Sequence, residues 1–458
     1  MPEAEVEPEV QRIGRDLHAA LPGRSRNPVK AIDARAMEMA SRDAQLRAAL
    51  FRLVDVTPAC RSLDDLAAHL GAYLEEVGER PPPIEAALRA AHSVAGRRAL
   101  GLAAAAGVRH MAHRFIVGES PKAALRTLRG LWDDGVASSV DLLGEATVTR
   151  EEADRYAERC HEALDALAGS MGSWPARPAL ESDSSGSLPR VNLSVKVSAL
   201  TPLMRPEAPE VGREDAAERM RPLLRRARDL DAHLHIDMES LDALETTMEL
   251  VFELLDEEEF ADGPSAGVVL QAYLRDSPAQ LDRLLEWADG STRTPPLTVR
   301  LVKGAYWDHE VVEARQHGWQ PPVFEVKAES DRNFEALTAR LLEARPGKDS
   351  ARKTNASSGI RVAIASHNLR SVAHAVACNR ASGADDADLE LQILRGLGDE
   401  LQQALAHSGL RVRAYCPVGD LVAGMAYLVR RLLENTSNDS FLGEQQRGAA
   451  IDELLAAP

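Results

Sequence analysis

Eight short runs that read as β-strands, each followed by helical sequence, govern what this chain can fold into. They are SSVDLL around Asp141, VNLSVKV around Lys196, HLHIDM around Asp237, VVLQAY around Gln271, TVRLVK around Arg300, RVAIAS ahead of His367, LELQIL around Gln392 and VRAYCPV around Tyr415. Strands alternating with amphipathic helices build parallel sheets, and eight such units close into a TIM-type barrel. A doubly wound open sheet competes less well, because no Gly-rich phosphate turn follows any strand. The expectation is an α/β fold: a (βα)8 TIM-type barrel over 136–442, an N-terminal α-helical region over 1–135, and a tail or connector over 443–458.

Before residue 136 the apolar spacing is helical, as in Ala31 to Leu53 and Pro83 to Gly107, with Pro81-Pro82-Pro83 as a break ahead of a helix start. The small-residue stretch GLAAAAGVRHMAHRFIVGES suits close packing. Two long segments, MGSWPARPALESDSSGSLPR and GKDSARKTNASSG, are predicted to be mobile loops.

Charge narrows the possible partners. A net charge of −17 argues against nonspecific nucleic-acid binding and against gross attraction to anionic lipid, leaving only a local membrane patch open. Cys60, Cys160, Cys378 and Cys416 lack metal or disulfide spacing, which fits a reducing compartment. No run approaches ~18 uninterrupted apolar residues, and the start MPEAEVEPEV is acidic rather than signal-like. A soluble, cytoplasmic protein is expected.

Working residues in such barrels sit at the C-terminal strand ends. Here those ends carry Asp141 and Glu145, Lys196, Asp237, Gln271, Arg300 with Lys303, Ser366-His367-Asn368, Gln392 and Tyr415. Polar groups repeated along apolar strands are expensive unless a polar ligand fills the mouth. Near the end of the chain, AYLVRRLLEN puts Tyr427, Arg430, Arg431 and Glu434 on one helical flank. Two adjacent guanidiniums there suit the carboxylate of a small acid. Lys196 suits either a neighbouring acid or a third contact to that carboxylate, and Asp237 suits a counter-ion better than a catalytic base. Arg300, Lys303 and His367 together fit an electron-rich ring and a pyrophosphate. Gln271 and Gln392 offer amides to a heterocycle edge, and Gly304 allows close backbone approach. Tyr306 and Trp307 fit stacking or packing.

Two other chemistries fare less well. His233, His235 and Asp237 share a strand face, as in barrel metallohydrolases, but no later histidines complete a ligand set, so no metal is expected. Ser366 and His367 are neighbours on alternating faces and cannot pair as nucleophile and base.

Together DLLGEA, LSVKVSAL, HIDMES, VVLQAY, VRLVKGAYW, ASHN, LQILRGLGDEL, YCPVG and AYLVRRLLEN, followed by TSNDSFL, resemble the proline dehydrogenase barrel. The form most like it lies within bacterial proline utilisation A, a bifunctional flavoenzyme. The likeness covers roughly residues 110 to 442 in family order. It implies a distorted (βα)8 barrel whose last helix lies over the mouth, and FAD-dependent oxidation of L-proline to Δ1-pyrroline-5-carboxylate by hydride transfer to flavin N5. Reoxidation would use membrane quinone, with peripheral contact at the cytoplasmic face. By the same resemblance Arg430, Arg431 and Lys196 bind the proline carboxylate, while Tyr306, Leu394, Tyr415 and Tyr427 shape the ring pocket. Asp237 supports them and Glu145 pairs with Arg430 as a gate. FAD would contact Gln271, Arg300, Lys303, Gly304, Ala305, Trp307, Ser366, His367, Arg431 and Glu434, within motifs that also hold Asn368 and Gln392.

Departures are few. Ser366 replaces the usual Thr, Cys416 interrupts Tyr-Ala-Pro-Val-Gly, and Met238-Glu239 replaces an acidic pair with little expected effect on chemistry. No ribbon–helix–helix start is recognisable, so DNA binding is not implied. The tail AAIDELLAAP resembles the lead into an aldehyde dehydrogenase half, pointing to a fused domain or partner of that kind.

Overall fold

A computed structural model describes residues 3–22, 43–78, 80, 82–144, 147–345, 359–420, 424, 427 and 448–458. Each of the eight expected strands forms. They are β1 Val136–Leu142, β2 Val191–Lys196, β3 Ala232–Asp237, β4 Ser265–Gln271, β5 Leu297–Val302, β6 Ile360–Ala365, β7 Leu389–Leu394 and β8 Arg411–Val418. All neighbours are parallel and follow chain order, and β8 pairs with β1 to close the barrel.

Side-chain alternation explains both surfaces of this barrel. Along β8, Val412, Ala414, Cys416 and Val418 join the apolar core beneath the surrounding helices. The intervening Arg411, Arg413 and Tyr415 point into the barrel, where they meet acids from other strands. A typical barrel interior is layered with Val, Ile and Leu. This one is lined with ionic and hydrogen-bonding groups, while the outer face of each strand supplies the apolar burial.

Helices within the N-terminal region divide between two cores. Helix α1, Glu3–Ala20, spaces Val6, Val10, Ile13 and Leu17 along one stripe, and that stripe is buried in the barrel core. Arg370 fixes it with a fork onto Glu7, both bonds 2.9 Å, while a second contact holds Glu335 at 2.9 Å. Helices α2 Ala44–Val56, α3 Leu63–Glu75, α4 Pro82–Ala90 and α5 Val94–Phe115 build a second core. That core runs on into Leu143, Leu397 and Tyr427, which places it against the barrel mouth. Helix α6, Pro121–Asp133, returns to the barrel core through Leu128, Leu131 and Trp132.

Side-chain caps set several boundaries. Asp43, Ser62, Ser93 and Ser120 each accept from the first turn of the helix they precede. Ser93 also splits the Pro83 to Gly107 run, which periodicity reads as continuous, into α4 and α5. Of the Ala31 to Leu53 segment, the helix is described from Ala44, and Ala31 to Arg42 lie outside the described residues.

The segment after α7, Arg150–Met171, corrects the expectation of mobility. It folds into a helical turn, Pro178–Glu181, and a hairpin pairing Ser182–Asp183 with Gly186–Ser187. Its Asp183 is buried, taking two bonds from Arg361 at 2.9 and 3.0 Å and one from Arg411 at 3.3 Å. A loop bound by two interior arginines closes the barrel floor. The second predicted loop, GKDSARKTNASSG, lies within 346–359, of which only Gly359 is described.

The remaining barrel helices are α8 Pro209–Asp229, α9 Leu241–Leu255, α10 Ser277–Gly290, α11 Trp307–Gln316, α12 Lys327–Glu343, α13 Leu369–Ala381 and α14 Asp399–His407. All four cysteines are free, and burial pushes the Cys160 and Cys416 thiols up to about 12. Among the described residues, no helix is long and apolar enough to cross a membrane.

Candidate functional site at the barrel mouth

Four residues expected at the site meet in one buried network. The last residue of β3, Asp237, accepts from the Tyr415 hydroxyl at 2.6 Å and from Arg300 at 2.7 Å. Lys196, ending β2, lies 3.6 Å from the same carboxylate and closer still to Asp141 of β1. Arg300 also donates to Ser194 Oγ at 3.3 Å and stands 5.2 Å from the Tyr415 ring centre. Asp141, only 1% exposed, is the part of this network to which sequence reasoning gave no role. Its signal was present: a carboxylate one residue from the end of a strand whose residues are all buried.

The charges here balance. Lys196 and Arg300 are matched by Asp141 and Asp237. Burial works against the Lys196 ammonium, yet Asp141 and then Asp237 outweigh it and raise its pKa. Burial, Asp141 and Asp237 all push the Tyr415 phenol well above its ordinary value, so it stays a donor. An anionic ligand would therefore need further cations.

A second set of bonds ties β2, β3 and β4 at the rim. Ser198 donates through Oγ at 2.7 Å and through N–H at 3.2 Å to the Glu239 carboxylate, while Gln271 Nε2 donates to the Glu239 carbonyl at 3.0 Å. Glu239, from which little chemical effect is expected, therefore has an architectural part, joining three strand ends. Sequence separation hid this contact, since Ser198 and Glu239 come together only when the strands align. Burial raises the Glu239 pKa against the Ser198 bonds. Gln271 Oε1 and Arg300 Nε are buried without a hydrogen-bond partner, an expensive condition for polar atoms.

The loop after β5 is organised by a residue the sequence reading passed over. Gly304 has φ +132°, and a Cβ there would fall 2.3 Å from Tyr273 Cδ1, so the ring of Tyr273 occupies the space that glycine leaves. Tyr273 N–H donates to Lys303 O at 2.7 Å. Lys303 is ion-paired with Asp331 of α12, which Lys327 also reaches at 2.9 Å. Burial lowers the Lys303 pKa, with Asp331 opposing. Ala305 is exposed and Tyr306 half-buried on the same loop, while Trp307 donates to Phe324 O at 2.9 Å and leaves 38% of its surface exposed.

At the end of β6, Ser366 Oγ accepts from Asn368 N–H at 3.1 Å. His367 Nε2 accepts from Leu394 N–H at 3.0 Å, which in the neutral ring leaves the proton on Nδ1. Asn368 caps α13 through Ser371 N–H at 3.2 Å, so its amide oxygen is already engaged. The Gln392 amide donates to Glu390 at 2.7 Å, and the residue lines the chamber below the mouth. Leu394 and Tyr427 belong to the apolar seam between mouth and helical region. Glu145, Arg430, Arg431 and Glu434 lie outside the described residues.

His233 Nε2 and His235 Nδ1 face one another at 3.1 Å, and His233 Nδ1 meets Ser265 Oγ at 2.8 Å. Two nitrogens sharing a proton are a hydrogen bond rather than a ligand pair. Burial holds His233 near a pKa of about 3 and His235 well below the usual range. Among the described residues, the grouping with ligand spacing is Cys60, Asp65 and His69, half-exposed in the helical region.

Comparisons with known proteins show the family and the fold. The sequence pattern of the proline dehydrogenase family matches residues 124–444, and that of the proline utilization A N-terminal domain matches 7–115. The bifunctional protein PutA of Salmonella typhimurium is 33% identical over 362 residues, covering 77% of this chain and 25% of that protein. Proline dehydrogenase 1 of Bacillus subtilis subsp. natto is 27% identical over 343 residues, covering 74% of this chain and 92% of its own length. Among solved structures, proline utilization A from Bdellovibrio bacteriovorus, inactivated by N-propargylglycine, superposes with a TM-score of 0.86 at 34% identity. That match covers 99% of this chain and 44% of the other. The chain therefore spans about a quarter of the length of the bifunctional curated relatives it matches.

Proposed function

The chain belongs to the proline dehydrogenase family, and from that premise we propose that it oxidises L-proline to Δ1-pyrroline-5-carboxylate with FAD as cofactor. The observation that carries this reading is the Lys196–Asp141–Asp237–Arg300–Tyr415 network at the strand ends.

The residues present fit a flavin. Gln271 Oε1 and Arg300 Nε are buried polar atoms with unused hydrogen-bonding capacity, and Lys303, Ser366 and His367 follow at adjacent strand ends. Together with Gly304, Ala305 and Trp307, and with Arg431 and Glu434, they would hold the cofactor. FAD bound there would supply a two-electron acceptor for a hydride.

The chain's own residues would bind and orient. Because Lys196 and Arg300 are already balanced, a substrate carboxylate draws its main grip from Arg430 and Arg431, with Lys196 as a third contact. Tyr415, fixed by Asp237, would form one wall of a ring pocket completed by Tyr306, Leu394 and Tyr427, with Glu145 pairing Arg430 over the entrance. Held this way, proline loses a hydride from the ring carbon beside nitrogen as the nitrogen lone pair forms the C=N bond. Orientation supplies most of the acceleration, since no strong base is required when the amine is neutral. Electrons would pass on to a membrane quinone through peripheral contact at the cytoplasmic face, and an aldehyde dehydrogenase, fused or separate, would consume the product.

The full chain reconstituted with FAD should be yellow and should bleach on adding proline without oxygen. A colourless protein, or a flavin spectrum indifferent to proline, would end the proposal. Arg431→Met should raise the apparent KM for proline by about 100-fold while the far-ultraviolet spectrum stays unchanged. An unaltered KM would remove Arg431 as the anchor.

A further inference from the structure

Beneath the mouth, the lower half of the barrel holds a partly open cavity of about 20 Å³ whose polar lining includes Asn192, His233, His235, Glu390, Gln392, Arg361, Arg411 and Arg413. Leu188 and Pro189, from the stretch after the hairpin, line it as well. Its size suits one atom-sized guest, since a buried water needs roughly 10–15 Å³ by the same kind of measure.

The lining is unequally charged. Three guanidiniums, those of Arg361, Arg411 and Arg413, face two carboxylates, because Arg361 and Arg411 share Asp183 and Arg413 takes Glu390 at 2.9 Å. The paired imidazoles are neutral. Just outside the ring, Arg345 and Asp388 offset each other. One positive charge is left without an opposite partner at a depth where isolated charge is costly. A specific donor marks the excess: Arg411 is 3% exposed, and its Nε has no hydrogen-bond partner. Salt bridges inside proteins normally satisfy such groups, so the surplus calls for a ligand of opposite sign.

We propose that this lower chamber binds one monovalent anion of halide size, chloride being the probe of choice, as an integral counter-ion of the barrel interior. The site is distinct from the mouth and depends on no assumption about proline or flavin. Size excludes sulfate and larger carboxylates. Arg411, Arg413 and Asn192 line the chamber and carry the N–H groups such an anion would use.

Two measurements on the full chain, as isolated, decide the matter. Thermal unfolding at constant ionic strength, with gluconate exchanged for chloride or bromide, should show a saturable rise in Tm of about 2–4 °C. Asn192→Asp places a carboxylate in the chamber wall, where it keeps the acceptor that Ser139 Oγ uses at 2.7 Å. This variant should match the chloride-saturated Tm in gluconate and lose the halide response. Crystals grown in bromide should give an anomalous peak in the chamber. A halide-independent Tm, a full halide response in Asn192→Asp, or density fitting only water would each overturn the proposal.

Discussion

The two halves of the barrel interior are built from the same strands, with residues two apart in sequence, yet they solve different problems. In the lower half Arg361, Arg411 and Arg413 meet Asp183 and Glu390, the histidines bond to each other, and a hairpin seals the floor. In the upper half Lys196 and Arg300 are balanced by Asp141 and Asp237, but amide and guanidinium atoms at Gln271 and Arg300 keep unused hydrogen-bonding capacity. The difference teaches that ionic groups in a core are not themselves a sign of catalysis. What marks the upper half is polarity at strand ends, where a ligand can reach it.

Substitutions can test that division, and the largest effect is expected above. Asp237→Ala removes the shared acceptor of Arg300, Tyr415 and Lys196, leaving buried cations unanswered. Stability should fall by about 3–5 kcal/mol in urea titrations. The variant's kcat/KM for proline should fall by about 100-fold, as the pocket wall loses its anchor. Full activity in this variant would erase the distinction between the halves.

Below, Glu390→Ala should cost stability alone. Burial opposes the Glu390 charge, but Arg413 and Arg411 overcome it and hold its pKa down at about 2. Loss of the carboxylate should cost about 3–5 kcal/mol while kcat/KM stays within about threefold of the parent. A large kinetic defect at retained stability would show that the lower layer takes part in turnover.

The smallest effect is a pH slope. His233 is held to about 3 against an ordinary 6.5, by burial first and then by Arg413. The unfolded chain takes up this proton near 6.5 and the folded chain does not, so stability should decline as pH falls from 6.5 toward 3. The slope is about 1.4 kcal/mol per pH unit for each such proton. Glu390 acts in the same direction, its contribution being present above 4.5 and lost as pH falls through about 2. His233→Asn should flatten the slope by about one proton's worth between pH 6 and 4 in denaturant titrations. An unchanged slope would mean that another group governs acid unfolding.

Much of this division was legible in the sequence. Short β-rich runs alternating with helical sequence located the eight barrel strands, and polar residues at strand ends placed Lys196, Asp237, Arg300 and Tyr415 together. What escaped was whatever depended on direction along the barrel. Gln392 reads the same whether its amide turns up or down, and only Glu390 beside it decides. Glu239 and Ser198 lie on different loops, so their bond has no local trace. Serine and proline in the segment after α7 suggested looseness, while Asp183 inside it carried the opposite message, which needed Arg361 and Arg411 to be read. Tyr273 looked like one more apolar strand residue until Gly304 made room for its ring.

An ionic bore inside an apolar sleeve has one more effect, on tolerance to insertion and deletion. Sliding any strand by a single residue would carry its arginines and acids outward beneath the helices and its valines and leucines inward among charges. In ordinary barrels, both strand faces are greasy and such a slip is less punishing. Here each strand is keyed by opposite polarity on its two sides, so length changes belong in the connections, and the frame of the staves themselves is locked.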